Sequence, residues 1–353
     1  MKKHRNKKKC DRKKCDRKIV SAACMALACI LLSGCRAGAA PEKKHAIRIG
    51  VSLYRADDTF IGNIRSELEK RAKEYEQETG IKVTLDIQDA KGNQYVQNKQ
   101  VERFISLGCD TLCVNPVDRT TSSGIIDAAA AADIPVVFFN RQPVEEDMDR
   151  WDRLYYVGAD AKESAVLEAE IVADQYEKDP ASMDKNGDGV ISYVLLEGES
   201  NHQDSLIRTE WSVQTLKDRG VPIEKITGGI ANWERSQASA LMEQWLELYP
   251  DTIELVLSNN DDMALGAIDA LDRAGGKKIS VVGIDGTTQG QDAVQSGKML
   301  GTVSSDKTGY ANAIFTIAAA AGMGEPIPGE ITLDKGKYYW SRQNNVVKEK
   351  INP

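Results

Sequence analysis

Histidine and cysteine are scarce in this chain. It has three histidines in 353 residues, and His4 and His45 lie in the leading segment, so His202 stands alone further on. A lone histidine is by default a surface or core side chain, and only its neighbours can make it more. Of seven cysteines, Cys10, Cys15, Cys24, Cys29 and Cys35 also fall near the start, which leaves Cys109 and Cys113. On one strand these two would have Cα atoms roughly 13 Å apart, too far for a disulfide. Their spacing fits no zinc pattern, so they read as buried thiols. Long apolar runs are missing too: Ile19–Leu32 offers about 14 to 16 apolar or small residues, short of the roughly 20 needed to span a bilayer.

What the leading segment does contain is a basic stretch, Lys2 to Lys18, which repeats KKCDRK as low-complexity charge. The short apolar run and Leu32-Ser33-Gly34-Cys35 follow it. A positive n-region, an apolar h-region and a small-residue cleavage site make an export signal. A cysteine directly after the cut marks a lipoprotein with Cys35 acylated. Residues 1–34 hold 11 of the 46 basic and 2 of the 53 acidic side chains, so the remainder carries 35 against 51, a formal charge of −16. Such an acidic domain excludes nucleic acid and anionic membrane surfaces as partners and suits a solvated extracellular protein.

Past a tether (residues 35–45), apolar runs alternate with amphipathic helical runs. Strands are expected at Ile47–Tyr54, Ile81–Ile87, Thr111–Val114 and Pro135–Phe139, with helices at Ile61–Thr79, Tyr95–Leu107 and Ser122–Ala132. A second series follows, with strands Ser192–Leu196, Lys225–Gly228, Glu254–Leu257, Ile279–Val282 and Met299–Val303 set between helices from Glu163 to Ala321. This alternation implies parallel sheets with helical crossovers. Roughly 310 residues in two series suggest two lobes. Open α/β sheets bind ligands at the C-terminal edges of their strands. Polar and aromatic residues collect there: Asp57, Asp58, Phe60, Asn140, Asn260 and Asp285.

Two local patterns carry chemistry. In DKNGDGVIS, Asp184, Asn186 and Asp188 take positions 1, 3 and 5 of a calcium loop. Gly189 sits at the sharp turn, with the Val190 carbonyl at 7 and Ser192 at 9. Alternating oxygen ligands wrap a hard cation, although position 12 is Leu195 and the bidentate glutamate is absent. The bland alternative is a solvated acidic turn. The second pattern is N-H-Q-D-x-x-x-R, which sets His202, Asp204 and Arg208 close together, with Trp233 further on. A pyranose has two apolar faces and a rim of hydroxyls that both donate and accept. Phe60 and Trp233 can clamp the faces. Asp58, Asp204 and Asp285 can accept, Arg208 can donate in a planar fork, and Asn140 and Asn260 can do both. Taken alone, Trp233 reads as core, and Asp58 reads as a helix cap whose job Thr59 can take instead.

Across 47–347 the chain resembles the galactose/glucose-binding proteins, type I periplasmic receptors of sugar ABC importers. The resemblance lies in IGVSLYRADDTF (49–60), VVFFNRQP (136–143), YYVGADAKES (155–164), GDGVISYVLLEGESNHQDSLIRT (187–209), ANWERSQA (231–238), IELVLSNNDDMALGA (253–267), VVGIDG (281–286) and GTVSSD (301–306).

It implies an α/β fold of two Rossmann-like lobes with parallel sheets, joined by a three-strand hinge near Gly158, Ser304 and Tyr339. The lobes would be 46–157 with 306–339, and 158–304 with 340–353. It implies sugar contacts from Asp58, Phe60, Asn140, His202, Asp204, Arg208, Trp233, Asn260 and Asp285. Ser305 stands where the family usually has asparagine, which bears on glucose against galactose. Glu254 would complete a structural Ca2+ site with Asp184, Asn186, Asp188, Val190 and Ser192, the last reaching the ion through water. The expected protein is a monomeric receptor for D-glucose or D-galactose that serves ABC permease subunits from the outer face of the cell membrane. It performs no chemistry on its ligand.

Rival readings remain on sequence grounds. One is a sensor of the same fold that presents sugar to a chemoreceptor or histidine kinase. Another is a receptor for a different polyol, which Ser305 keeps open. A third is an extracellular sugar hydrolase using two of the three aspartates as an acid/base pair. A transcriptional repressor of this fold is excluded, because no helix-turn-helix segment precedes Ile47.

Overall fold

The computed structural model describes residues 45–348. The export signal, Cys35 and nearly all of the tether lie outside the described residues. Twelve strands form two six-stranded sheets. Strands β1 (Ala46–Leu53), β2 (Lys82–Asp89), β3 (Thr111–Val114), β4 (Val136–Phe139), β5 (Leu154–Ala159) and β11 (Tyr338–Ser341) build the first, in the order β11-β5-β4-β3-β1-β2. Strands β6 (Ile191–Glu197), β7 (Ile223–Ile230), β8 (Leu255–Ser258), β9 (Ser280–Asp285), β10 (Gly301–Ser305) and β12 (Gln343–Val347) build the second, in the order β12-β10-β9-β8-β6-β7. Every pairing is parallel except β10 with β12.

The central strands read TLCV, VVFF and LVLS and are wholly buried, because helices cover both faces of each sheet. Strand alternation decides which face each residue serves. Cys113, Val137 and Val157 join one core of the first lobe, while Leu112, Val114, Val136, Phe138 and Tyr156 join the other. The helices are α1 (Thr59–Thr79), α2 (Gln94–Ser106), α3 (Ser123–Ala131), α4 (Glu145–Met148), α5 (Ala161–Lys178), α6 (Pro180–Met183), α7 (Gln203–Asp218), α8 (Arg235–Leu248), α9 (Asp261–Arg273), α10 (Thr288–Gln295) and α11 (Lys307–Met323). Helix α1 buries Ile61, Ile64 and Leu68, each worth about 1.5–3 kcal/mol on removal from water. Gly80, at φ 73°, takes the left-handed turn that ends it.

Several boundaries differ from the sequence reading. Asp58 itself caps α1, its carboxylate accepting the Ile61 N–H at 2.9 Å, so Thr59 is not the cap. Gly158, Ser304 and Tyr339 lie inside strands, because pairing continues to Ala159↔Ser341 and Ser305↔Gln343. The chain therefore changes sheets just beyond those residues, at Asp160, Asp306 and Arg342. Trp340 and Ser341 belong to the first sheet. The three crossings are tied to one another: Gln343 Nε2 donates to the Asp160 carbonyl at 2.8 Å, and Asp306 N donates to the Arg342 carbonyl at 3.0 Å. Cys109 and Cys113 are free and buried; burial pushes the Cys109 thiol up to about 11 and the Cys113 thiol higher still.

Candidate functional site

A cleft between the sheets is lined by Asp58, Phe60, Asn140, His202, Asp204, Arg208, Trp233, Asn260, Asp285 and Ser305, all ten residues the sequence pointed to. Each sits at or just past the C-terminal end of a strand, or in the first turns of the helix that follows, which is where parallel sheets open their crevices. Tyr54, Arg141, Ala159 and Tyr310 line the same cleft, and the sequence reading missed them. Tyr54 follows β1 directly and Arg141 lies two residues past β4, so the strand-end rule could have found both. Tyr310 lies within α11, where nothing local marks it.

Arg208 is the hub on the second lobe. Nη1 donates to the Asn259 carbonyl at 2.8 Å, Nη2 donates to Asp204 Oδ2 at 3.2 Å, and Asp285 Oδ1 lies 3.8 Å from Nη1. Burial raises the pKa of both carboxyls, against the pull of Arg208, and for Asp285 the rise is large. His202 caps α7: its Nδ1 accepts the Asp204 N–H at 3.1 Å. Burial first, then the nearby cations Arg141, Arg208 and Arg119, hold its pKa well below the usual imidazole value. The ring is therefore neutral, with Nε2–H left as a donor. It meets Trp233 edge-on at 5.1 Å. Asn232 and Trp233 take φ of 52° and 68°, an uncommon pair of left-handed residues that turns the indole into the cleft. Gly198 makes room for it, since a Cβ there would lie 2.1 Å from the ring.

On the first lobe, the Tyr54 hydroxyl donates to Asp58 Oδ2 at 2.5 Å, and burial raises the Asp58 pKa. Phe60 packs edge-on against Tyr310 at 5.8 Å. Asn140, at φ 61°, receives Asn115 Nδ2 at 3.2 Å on its side-chain oxygen, and its own N–H donates to the Tyr310 hydroxyl at 2.8 Å. Its side-chain NH2 has no acceptor among the described residues, so the amide stays available as a donor. Asn260 caps α9 through Oδ1, which keeps its NH2 free in the same way. Buried side-chain atoms without partners, among the described residues, include Arg141 Nε, Arg208 Nε and Trp233 Nε1 in the cleft wall, and Gln203 Oε1 beside it. Each such orphan costs about 1–3 kcal/mol unless something pairs with it. A small molecule with several hydroxyls supplies both donors and acceptors.

The candidate calcium loop lies elsewhere, ahead of β6 at the opposite end of that strand from His202. Asp184 accepts the N–H groups of Gly187 and Gly189 at 2.8 and 2.9 Å, and Asn186 accepts that of Asp188 at 2.8 Å. Buried Glu254 accepts from Lys185 N, Asn186 N and Ser192 N at 2.6, 3.1 and 2.9 Å. The backbone donors fix the turn; Glu254 Oε1 takes two of them, while Glu254 Oε2 and both Asp184 oxygens take one each and keep a second lone pair. A hard-oxygen set of this kind fits a hard cation in its chemistry. Even so, among the described residues no three His, Cys, Asp or Glu side chains already converge as a metal cluster.

Comparison with known proteins agrees with this architecture. Residues 49–326 match the model of the periplasmic binding protein domain. The D-galactose/methyl-galactoside binding periplasmic protein MglB of Haemophilus influenzae is 35% identical over 279 residues, covering 79% of this chain and 82% of that protein. A putative rhizopine-binding protein of Rhizobium meliloti is 32% identical over 290 residues, 81% of this chain and 88% of its own. Among solved structures, an ABC transporter solute binding protein from Bacillus halodurans with bound myo-inositol has a TM-score of 0.73 at 27% identity, with 87% and 96% of the two chains covered. The chain belongs to the type I periplasmic binding proteins that serve sugar ABC importers.

Proposed function

We propose that this protein captures D-glucose or D-galactose between two closing lobes and hands it to an ABC permease. It would do so as a lipoprotein held by Cys35 at the outer face of the cell membrane, with Ca2+ bracing the second lobe through Asp184, Asn186, Asp188, Val190, Ser192 and Glu254. The observation that carries the reading is the set of unpaired buried atoms in the cleft wall, together with Phe60 and Trp233. Donors on Arg141, Arg208 and Trp233, buried acceptors on Asp204 and Asp285 and a half-buried one on Asp58 call for a ligand rich in hydroxyls with apolar faces. Isothermal titration of the secreted domain with both hexoses in calcium buffer tests it. Saturable binding at micromolar Kd or tighter supports the proposal, and silence for both hexoses overturns it.

A second reading, a receptor for a cyclic polyol such as myo-inositol, is favoured by Ser305. This hydroxyl at the end of β10 reaches less far than a carboxamide and bridges fewer ligand oxygens. The 27% identical neighbour with bound myo-inositol supports the same reading. Titration with myo-inositol alongside the hexoses separates the two.

A further inference from the structure

Arg141 is the most heavily engaged cation between the lobes. It follows β4 on the first lobe, and its side chain is 3% exposed. Its guanidinium lies 3.8 Å from the centre of the Tyr54 ring, and Nη1 donates to the Val117 carbonyl at 3.1 Å. Both of those contacts are within its own lobe. The terminal nitrogens also reach across the cleft to Glu199, which follows β6, in two parallel bonds of 2.8 and 2.9 Å. The fork-to-carboxylate match fixes the angle of approach as well as the distance. Nε alone is left buried without a partner, and Arg141 lines the sugar cleft.

We infer that Arg141 and Glu199 form a ligand-dependent latch, in which Arg141 is a sugar-positioning residue whose Nε pairs with a ligand oxygen while Glu199 grips its other nitrogens from the opposite lobe. The inference rests on the sugar-receptor reading and deepens it. When the lobes part, Arg141 keeps Tyr54 and Val117, loses Glu199 and is hydrated. Closure strips that water. Glu199 compensates two of the three nitrogens, and only a ligand compensates the third. Closing on an empty cleft thus leaves a desolvated donor unpaired, whereas closing on a sugar does not, and this difference shifts the population toward the closed form. The Tyr54 hydroxyl, bonded to Asp58 at 2.5 Å, ties the base of the latch to a second ligand-facing group.

The second interlobe ion pair among the described residues, Arg55–Glu234 at 2.5 Å, has side chains 28% and 30% exposed. Solvent screens such a pair, and it adds little selectivity for the closed form. One further contact supports the latch: Gln203 Nε2 donates across the cleft to the Asn140 carbonyl at 3.0 Å, next to Arg141 in sequence.

The test uses the whole secreted chain, wild type, Glu199→Gln, Arg141→Gln and the double variant. It measures the Kd and dissociation rate for whichever of D-glucose, D-galactose and myo-inositol the wild type binds. It also measures the radius of gyration with and without that ligand, and the ligand-free Tm. Glu199 is not among the residues that line the cleft, so Glu199→Gln should raise the Kd about tenfold or more through the latch, mainly by faster dissociation. Its ligand-free Tm should hold, and the double variant should bind no worse than Arg141→Gln. Wild-type affinity and dissociation in Glu199→Gln overturn the latch alone. A wild type that binds none of the three overturns the receptor reading and the latch together.

Discussion

His202 accepts the backbone N–H of Asp204 through Nδ1, so one ring both caps α7 and presents Nε2–H to the cleft. The consequence is measurable against pH. In the unfolded chain the imidazole gains a proton below about pH 6.5, while the buried ring resists it because its pKa is depressed. The unfolded state then binds more protons, and folding stability should fall as pH drops below 6.5, by up to about 1.4 kcal/mol per unit. Urea unfolding of wild type and His202→Gln from pH 5 to 8 checks this. The variant should lose that slope and most of its sugar affinity.

Glu168 predicts the opposite slope. It lies on α5 with no exposed surface, with only the Ser258 backbone and the Arg208 charge nearby to favour its ionised form. Burial pushes its pKa up to about 8 from an ordinary 4.5. Between those values the unfolded chain has released its proton and the folded chain has not, so stability falls as pH rises from 4.5 to 8. Glu168→Gln should leave stability unchanged near pH 4.5 and raise it by about 2–4 kcal/mol at pH 8. Denaturant titrations at the two pH values decide the point. Equal gains at both would show that the effect is packing and not ionisation.

Gly198 sets the place of the indole. A methyl group there meets the Trp233 ring at 2.1 Å, and a left-handed Trp233 backbone has little freedom to retreat. Gly198→Ala should cost about 1–3 kcal/mol of stability and weaken sugar binding more than tenfold. Calorimetry together with thermal melts separates the two effects. Trp233→Ala should abolish binding at a smaller cost in Tm.

Calcium removal gives the fourth prediction. Chelation should lower the wild-type Tm, since a cation at 100 times its Kd adds about 2.7 kcal/mol to the folded state. Asp184→Asn removes the charge and one of the two acceptor oxygens that Gly187 and Gly189 use, so it should melt below the wild type in calcium and at the same temperature with or without calcium. Melts in excess calcium and in chelator provide the check.

The strand ends were readable in the sequence because parallel, doubly covered strands are nearly pure apolar runs, as in VVFF and LVLS. A polar residue after such a run, Asn140 or Asn260, announces the cleft. Arg141 obeys the same rule, but its bond to Glu199 joins residues 58 apart across two lobes, and nothing near either residue encodes it. Tyr310 reaches the Asn140 N–H from 170 residues away, in a helix whose pattern is apolar on every side. The crossings were misplaced by a few residues because β11 and β12, YYWS and QNNVV, carry little hydrophobic signal. Their pairing with distant β5 and β10 is what extends those strands. Asp58 was read as either cap or ligand, and the cap it makes with one oxygen leaves its place in the cleft intact.

The antiparallel edge β12 has a practical side. Gln343, at its start, pairs with Ser305, so the last strand among the described residues is stitched to a residue of the ligand cleft. A reporter, surface graft or affinity handle joined directly after β12 would pull through that seam. A tail-anchored biosensor built on this scaffold would therefore retune its own specificity, and an attachment on the exposed face of α1 would not.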